Sequence, residues 1–411
     1  MNQLIKEKAE ILSKINYLLI IIFPISLLAG SLISNSVIIL ISIFFLFDLL
    51  KKKELHLLSH YNFYFLILIY IYLVFNSLLI ASNSESIIRA IGFIRFIIFA
   101  YALAYYLPFF EKKIIRFWTI TFFIVTADIF FEFIVGKNIL GFSSDYGGRI
   151  ASFTGDELKI GGFYLGFFLI CLSYFKSKNK NFFLLILLLF LITSFIIGER
   201  SNFIKVLITS TLFLFFFYPI SWKKKISFFL VILFFIQLTL IAKPNLVKKY
   251  YQNAFFLNLK EKIFSQKPIK FEDAIKINRH FDHYIIAINI FKDNPFYGTG
   301  VKTFRFESYK KKYNVASDFN NGSTHPHQFH FEILSELGII GYLLIISNIL
   351  IIMIKQKKIN NNFLKIAGLL YLTSILIPIL PSGSFFTSYS ASFFWLNYSF
   401  LIRFNTNRLQ N

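Results

Sequence analysis

The chain has 411 residues, of which 56% are hydrophobic and only 16% are charged. Soluble domains usually carry about 25% charged residues, so this composition excludes an ordinary soluble protein and predicts a membrane protein. In a membrane protein, a net charge of +22 is expected to reflect positively charged loops on the cytoplasmic side. No nucleic-acid partner is therefore expected. The single cysteine, Cys171, excludes an internal disulfide.

The first apolar stretch, INYLLIIIFPISLLAG, follows several lysines and has no obvious small-residue cleavage site. It is predicted to be an uncleaved first span rather than a signal peptide. Runs of about 17 to 25 apolar residues predict an all-α polytopic membrane protein with about twelve transmembrane helices. The predicted spans are 16–34, 36–50, 62–81, 87–107, 117–136, 160–175, 181–197, 203–219, 226–242, 333–354, 363–380 and 384–402.

Lysine-rich loops follow every second predicted span, as at 51–53, 112–116 and 223–225. The loops after spans 3 and 11, SNSES and PSGS, contain no Lys or Arg. Because cytoplasmic loops carry the excess of Lys and Arg, both termini are predicted to be cytoplasmic.

One loop is much longer than the others and lies on the predicted outer face. Residues 243–323 contain 13 Lys and 2 Arg against 7 acidic residues, a net charge of +8. Loops of this length translocate regardless of charge, so the loop is compatible with the predicted orientation. The chain is therefore divided into helices 1–9 at 1–242, a periplasmic loop with site residues at 243–332, and helices 10–12 with a cytoplasmic C-terminus at 333–411.

Four ionisable residues fall inside predicted spans, where such residues are costly and usually functional: Arg89, Arg95, Asp128 and Glu132. Asp128 and Glu132 are four positions apart and share a helix face. Either the four residues pair with one another and hold the bundle together, or they line an outward-facing cavity.

Three further arginines lie on the predicted outer side. Arg149 is in DYGGRIASFTGDELKIGGF, Arg200 is in GERSN, and Arg279 is in INRHFDHYIIAINIFKDNPFYGTG. Arg149 and Arg279 could be solvated charges, and Arg200 could pair with Glu199. Polar residues thus gather at one membrane face, whereas a secondary transporter would place its site near the bilayer midplane.

The stretch STHPHQFHFEIL crowds His325, His327 and His330 before an apolar run. Three interpretations are open: a metal site, polar residues at the start of a helix, or a general base at the membrane surface. His325 and His327 flank a proline and are expected to point in different directions, and no HExxH spacing is present. No metal is predicted.

The segment THPHQFHFEILSELGIIGYL resembles the signature of the O-antigen ligase and O-antigen polymerase family, which reads H-P-H-N, a hydrophobic pair and E-x-G-x-x-G. RHFDHYIIAINIFKDNPFYGTGVKTF, GERSNF, RIASFTGDELKIGGFYL and DIFFEFIVGKNILG resemble other segments of that family, in the family's order. The resemblance covers most of residues 85–355. This chain departs from the pattern at Gln328, where Asn is usual, and at Asp156-Glu157, where Pro-Asn is usual.

The resemblance implies glycan transfer from an undecaprenyl-diphosphate carrier at the periplasmic face of the bacterial inner membrane. The acceptor is the lipid A core for a ligase, or a carrier-linked glycan for a polymerase. Membrane lipids are further partners, and no cofactor is expected. By resemblance, His327 is the catalytic histidine and Arg200 and Arg279 hold the diphosphate. The other candidate site residues are Arg149 for the diphosphate and His325, Gln328, Glu199, Arg89 and Arg95 in support.

The residue types suit that chemistry. Diphosphate is a good leaving group whose charge Arg can bind bidentately. The acceptor hydroxyl needs one base, so the carboxylate pair of a glycosidase is not required. A ligase is preferred because of the length, the single large outer loop and the high positive charge. The alternatives are a polymerase, an exporter of anionic or lipid-linked solutes, and a non-catalytic scaffold.

Overall fold

The computed structural model describes residues 2–81, 83–144, 148–157, 159–242, 279–313, 322–356 and 362–402. Side chains at 2–10, Asp156, Ala242 and Arg279 lie outside this description. Most of the predicted loop 243–323 is likewise outside the described residues.

The described residues form helices and contain no strand. Nine helices precede the large loop: α1 Asn2–Leu28, α2 Ser31–Lys52, α3 Tyr61–Asn76, α4 Ser84–Gly92, α5 Ile94–Val135, α6 Ile160–Leu172, α7 Lys180–Ile196, α8 Arg200–Leu212 and α9 Trp222–Ala242. Among the described residues, two helices lie within that loop, α10 Arg279–Asp293 and α11 Phe304–Glu307, and three follow it, α12 Phe329–Ile354, α13 Phe363–Ile375 and α14 Ser388–Ser399.

Seven helical stretches within the described residues are long and apolar enough to cross a membrane. They are Ile11–Leu28, Ser31–Lys52, Tyr61–Ala81, Ser84–Val135, Arg200–Phe217, Trp222–Ile241 and Phe329–Ile354. Shorter apolar helices occur at Ile160–Phe175, Lys180–Ile196 and Phe363–Ile375. The all-α, multi-helix membrane class is confirmed, while the number twelve stays a prediction.

The helix α5 covers both predicted spans 87–107 and 117–136 in one helical run. Its contacts with α1 come from both predicted spans and from the residues between them. They are Phe99 with Phe23, Phe110 with Tyr17, and Trp118 with the carbonyl of Ile20. Pro108 lies between the two predicted spans, and a proline inside a helix favours a kink because it lacks the N–H that a straight helix needs.

Candidate functional site

Four imidazoles form one cluster, with His327 at its centre. The ring centroid of His327 lies 4.0 Å from that of His325, 5.1 Å from that of His280 and 5.5 Å from that of His283. His280 and His283 are three positions apart on α10 and therefore share a face of that helix. The large loop thus returns two histidines to the segment that precedes α12.

The expectation that His325 and His327 point in different directions is wrong. His327 has a φ of +59°, in the left-handed region that few non-glycine residues adopt. Its carbonyl accepts a hydrogen bond of 2.7 Å from the backbone N–H of Ser382, which holds this backbone conformation. Strain of this kind persists only where surrounding contacts impose it, and it is concentrated at functional sites.

The contacts of Ser323 indicate which nitrogen of His327 carries the proton in the neutral ring. The Ser323 hydroxyl donates to the carbonyl of His325 at 3.0 Å, which uses its one hydrogen. In its 3.4 Å contact with Nε2 of His327, the hydroxyl must therefore accept. This arrangement corresponds to the neutral tautomer of His327 that carries its proton on Nε2.

His325 is a neutral neighbour of His327. Its Nδ1 lies 3.1 Å from the hydroxyl of Thr324, whereas its Nε2 is buried and has no hydrogen-bond partner among the described residues. Burial, the ring of His327 and the charge of Lys302, in that order, lower the pKa of His325 to about 2. His325 therefore carries no charge at neutral pH.

His330 faces away from this cluster and joins two helices. Its Nε2 lies 3.0 Å from the carbonyl oxygen of Leu376, which can only accept, so Nε2 donates. Its Nδ1 then accepts from the hydroxyl of Tyr342 at 3.1 Å. Both ring nitrogens are engaged in these contacts, which indicates a structural role.

Gln328, the departure from the usual Asn, is the N-cap of α12. It is 2% exposed, and its Oε1 accepts from the backbone N–H of Phe331 at 3.0 Å. Asn is a common N-cap residue because its side-chain oxygen satisfies a free N–H of the first turn. Gln328 makes the same type of bond with a longer side chain, so the substitution retains the cap.

A buried lysine and two buried carboxylates lie beneath the histidines. The Nζ of Lys302 is 2.6 Å from Oγ of Ser384 and 3.8 Å from Oε1 of Glu332. The backbone N–H of Lys302 donates to Glu336 at 2.7 Å. Glu332 also accepts from the hydroxyl of Ser384 and from the backbone N–H of Phe385. These bonds tie the start of α12 to two loops and satisfy the buried charges.

Backbone-to-backbone packing joins the DNPFYGTG and ELGIIG segments. Gly338 has a φ of +65°, and a Cβ there would lie 2.3 Å from the carbonyl oxygen of Phe296. Gly298 has a φ of +66°, and its Cβ would lie 2.4 Å from the carbonyl carbon of Glu336. The N–H of Gly300 donates to the Glu336 carbonyl at 2.7 Å. Only glycine fits such approaches, so these positions fix α12 against the segment after α10.

The segments that carry Arg149 and Arg200 are in contact. Gly198, which has a φ of +78°, would place a Cβ 3.4 Å from the Cα of Arg149. The N–H of Ile150 donates to the carbonyl of Ile197 at 3.1 Å. Arg200 begins α8 two residues after Gly198, and both arginines are half-buried. Two of the three predicted diphosphate ligands are therefore on adjoining segments.

The intramembrane carboxylates hold the segment next to Arg149. Glu132 accepts from the N–H groups of Ala151 at 2.8 Å and Ser152 at 2.6 Å. Asp128 accepts from the Ser152 hydroxyl at 2.7 Å. Within the described ranges, neither carboxylate forms an ion pair with the two intramembrane arginines, so the interpretation that these four residues pair with one another is wrong.

Arg95 is a helix-packing residue. Its guanidinium donates to the carbonyl of Gly92 and lies 3.4 Å from both the Asn35 side-chain oxygen and the Ser388 hydroxyl. Its Cζ is 4.3 Å from the centre of the Phe96 ring. These contacts connect α2, α5 and α14. Arg89, in contrast, is exposed.

Glu199 lies at the N-terminus of α6. Its Oε1 accepts from the N–H of Gly161 at 3.1 Å, and its Oε2 accepts from the amide of Asn202 at 2.5 Å. A carboxylate is favourable at a helix N-terminus, where the N–H groups of the first turn lack partners in the helix. These contacts indicate a supporting role for Glu199 beside Arg200.

The uncharged segment 376–387, between α13 and α14, forms a wall of the site that the sequence did not reveal. It supplies backbone groups rather than charged side chains, so hydropathy and charge patterns carry no signal for it. Its contacts are Ile379 O with the Tyr284 hydroxyl at 3.0 Å, Pro381 O with Lys205 Nζ at 2.8 Å, and Ser382 N with His327 O at 2.7 Å. Because Lys205 is on α8, this segment connects the helix of Arg200 to the histidines.

Arg279 is the first residue of α10 and directly precedes His280. Its side chain lies outside the described residues, so its role stays a prediction. Among the described residues, no group of three or more His, Cys, Asp or Glu is arranged to hold a metal ion.

Comparison with protein families gives a match over residues 182–346 to the family model described as O-Antigen ligase. The matched range begins in α7 and ends in α12, so it includes Arg200, α10 and the histidine segment. This match confirms the family that the sequence motifs resemble. No curated protein matches the chain.

Proposed function

We propose that this protein, whose residues 182–346 belong to the O-antigen ligase family, transfers a glycan from undecaprenyl diphosphate to the lipid A core. The reaction takes place at the periplasmic face of the bacterial inner membrane. The observation that carries the proposal is the position of His327 of the family's signature segment, whose ring packs against the rings of His325, His280 and His283.

His327 acts as the general base. Nε2–H donates a hydrogen bond to the Ser323 hydroxyl, and Nδ1 takes up the proton of the acceptor hydroxyl while that oxygen attacks the anomeric carbon and the carrier diphosphate leaves. The neutral His325 places no positive charge against the imidazolium that forms on His327. The left-handed backbone of His327 keeps the ring in the cluster rather than along the axis of α12.

Arginines bind the diphosphate leaving group. Arg149 and Arg200 are on segments that contact each other, and Arg279 is next to His280 of the cluster. A guanidinium binds two phosphate oxygens at once and stays charged at any physiological pH. Because diphosphate leaves readily once its charge is bound, no general acid is required.

A polymerase, which would join carrier-linked repeats, is the alternative within the family. A lipopolysaccharide gel of a deletion strain distinguishes the two reactions. Loss of a ligase leaves bare core together with carrier-bound polymer, whereas loss of a polymerase leaves core with one repeat. Full complementation of the deletion by His327→Ala would instead favour an exporter or a scaffold, neither of which needs a base.

The predicted orientation is tested separately by cysteine labelling. Lys311 and Lys224 are exposed, and the native Cys171 is buried, so its background labelling should be low. In intact cells with a permeabilised outer membrane, Lys311→Cys should react with an impermeant thiol reagent and Lys224→Cys should not. The reverse pattern would exclude a periplasmic reaction.

A further inference from the structure

A cavity of about 560 Å³ lies between the residues that follow α3, Ile80, Ala81 and Asn83, and the segment 294–313. Its polar lining includes Asn83, Asn294, Thr299 and Thr303. The amide of Asn83 donates to the carbonyl of Ala81 at 3.4 Å, and that of Asn294 donates to a carbonyl of α10 at 3.2 Å. Each of these bonds uses one of the two N–H groups of an amide, so the lining can offer donors as well as acceptors to a ligand.

The lining also contains an exposed aromatic ring, two cations and one carboxylate, that of Glu307. Phe306 is 47% exposed and lines the cavity, as do Lys310 and Lys312. Lys310 is 2.7 Å from Glu307, and Lys312 is 2.9 Å from Asp293. The pair of Lys312 with Asp293 is exposed on both sides and therefore weak, so an anionic ligand group can compete for Lys312. The ammonium of Lys310 is exposed to solvent although Glu307 is mostly buried, so such a group can also reach Lys310.

The segment 303–308 connects the cavity to the histidine cluster through Ser323. Thr303 and Phe306 line the cavity. The hydroxyl of Ser308 donates to the carbonyl of Ser323 at 3.0 Å and accepts from the N–H of Ser323 at 3.2 Å. Ser323 in turn contacts His327. The ion pair of Arg305 with Glu85, at 2.5 Å, fixes this segment to α4.

We propose that this cavity is a saccharide subsite, which binds a sugar of the acceptor or of the transferred glycan away from the reacting bond. The proposal rests on the proposed function. The volume is in the range of about 300 to 1,000 Å³ that small-molecule sites occupy. Amides and hydroxyls match the alternating donors and acceptors of a sugar, the exposed ring of Phe306 covers its apolar face, and the lysines favour a phosphate or carboxylate substituent.

The test measures binding of two soluble probes to the full-length protein in detergent. One probe is core oligosaccharide released from lipopolysaccharide by mild acid, and the other is O-polysaccharide released in the same way. At least one should bind, and the source of that probe assigns the subsite to the acceptor or to the donor glycan. Binding by neither probe overturns the proposal.

Matched variants locate the binding. Lys310→Gln/Lys312→Gln and Phe306→Ala should each weaken binding about tenfold or more. Lys311→Gln and Phe296→Ala alter exposed residues of the same region that do not line the cavity, and both should bind as wild type does. Equal binding by all four variants overturns the proposal.

The outcome for the subsite can be separated from the outcome for the reaction. Probe binding that the cavity variants weaken, in a protein that transfers no glycan, supports the subsite and refutes the proposed function. Glycan transfer with an unchanged KM for both substrates in the cavity variants supports the function and refutes the subsite.

Discussion

The ring of His325 lies 4.0 Å from the ring of His327, measured between centroids. Burial keeps His325 neutral, so an uncharged polar ring packs against the proposed base. Two imidazoles at this separation would repel each other if both were charged. In the proposed mechanism only one of the two rings therefore gains a proton, and that ring is His327.

Replacement of His327 should abolish most of the transfer activity. General-base catalysis typically contributes about 10²- to 10⁴-fold, so His327→Ala should transfer glycan at least roughly a hundredfold more slowly, with normal insertion and donor binding. The measurement is transfer to acceptor by purified enzyme. His330→Ala is the control, because His330 bonds Leu376 and Tyr342 outside the cluster, and its activity should fall much less. An active His327→Ala with an inactive His325→Ala would identify His325 as the base.

A positive charge alone, without the planar guanidinium group, should not substitute for Arg200. Lys retains the positive charge but lacks the planar fork that binds two phosphate oxygens, so Arg200→Lys should lose roughly tenfold or more of the activity. Arg116→Lys, at an exposed position of α5, should retain wild-type activity. The measurement is the transfer rate at equal amounts of membrane-inserted protein. Wild-type rates for Arg200→Lys would show that bidentate diphosphate binding is not its role.

Acidification should destabilise the protein through His325. The folded protein protonates this ring only near its lowered pKa of about 2, whereas the unfolded chain protonates it near 6.5. Between these values the unfolded state binds more protons, so the free energy of unfolding falls as pH decreases below 6.5. The apparent Tm should therefore fall between about pH 7 and about pH 5.

The variant His325→Gln separates this effect from other titrations, because its side chain does not titrate. Its Tm should fall less than that of the wild type over the same pH interval. His56→Gln replaces an exposed histidine and should follow the wild-type curve. Identical curves for all three proteins would contradict a depressed pKa at position 325.

Removal of the Lys302 ammonium group should destabilise the folded protein. Lys302→Met leaves the carboxylates of Glu332 and Glu336 buried without that charge, and breaking a buried pair from one side costs about 3–5 kcal/mol. We expect a low yield of folded protein and a lower Tm. Lys302→Met/Glu332→Gln removes one of the two carboxylates and should recover part of the loss. A single variant as stable as the wild type would show that Lys302 does not neutralise these groups.

Long apolar runs predicted helices well because a backbone in hydrocarbon must satisfy its own hydrogen bonds. The predicted span 181–197 corresponds to α7, Lys180–Ile196, and the predicted start at 363 is that of α13. The start of α12 was predicted at 333 but lies at Phe329, because Gln328 caps the helix. The helix therefore crosses the domain boundary drawn at 332, and Glu332 belongs to its first turn.

The site was only partly predictable. His327 and its segment follow from the family signature, but His280 and His283 join them across more than forty residues of chain, and hydropathy carries no information on such pairings. The role of Pro381 and Ser382 was equally invisible, since both contribute backbone groups. Asp128 and Glu132 were identified as unusual, but their partners are N–H and hydroxyl groups that charge matching does not consider.

The close approach at Gly298 and Gly338 has a consequence for engineering the proposed saccharide subsite. These glycines set the spacing of two backbones, and a side chain at either position would force those backbones apart. They should remain constant in any library of variants. Diversity belongs instead at Phe306 and Lys310, which are exposed and line the neighbouring cavity, so the proposed sugar contacts can be varied there while the frame that holds His327 is kept.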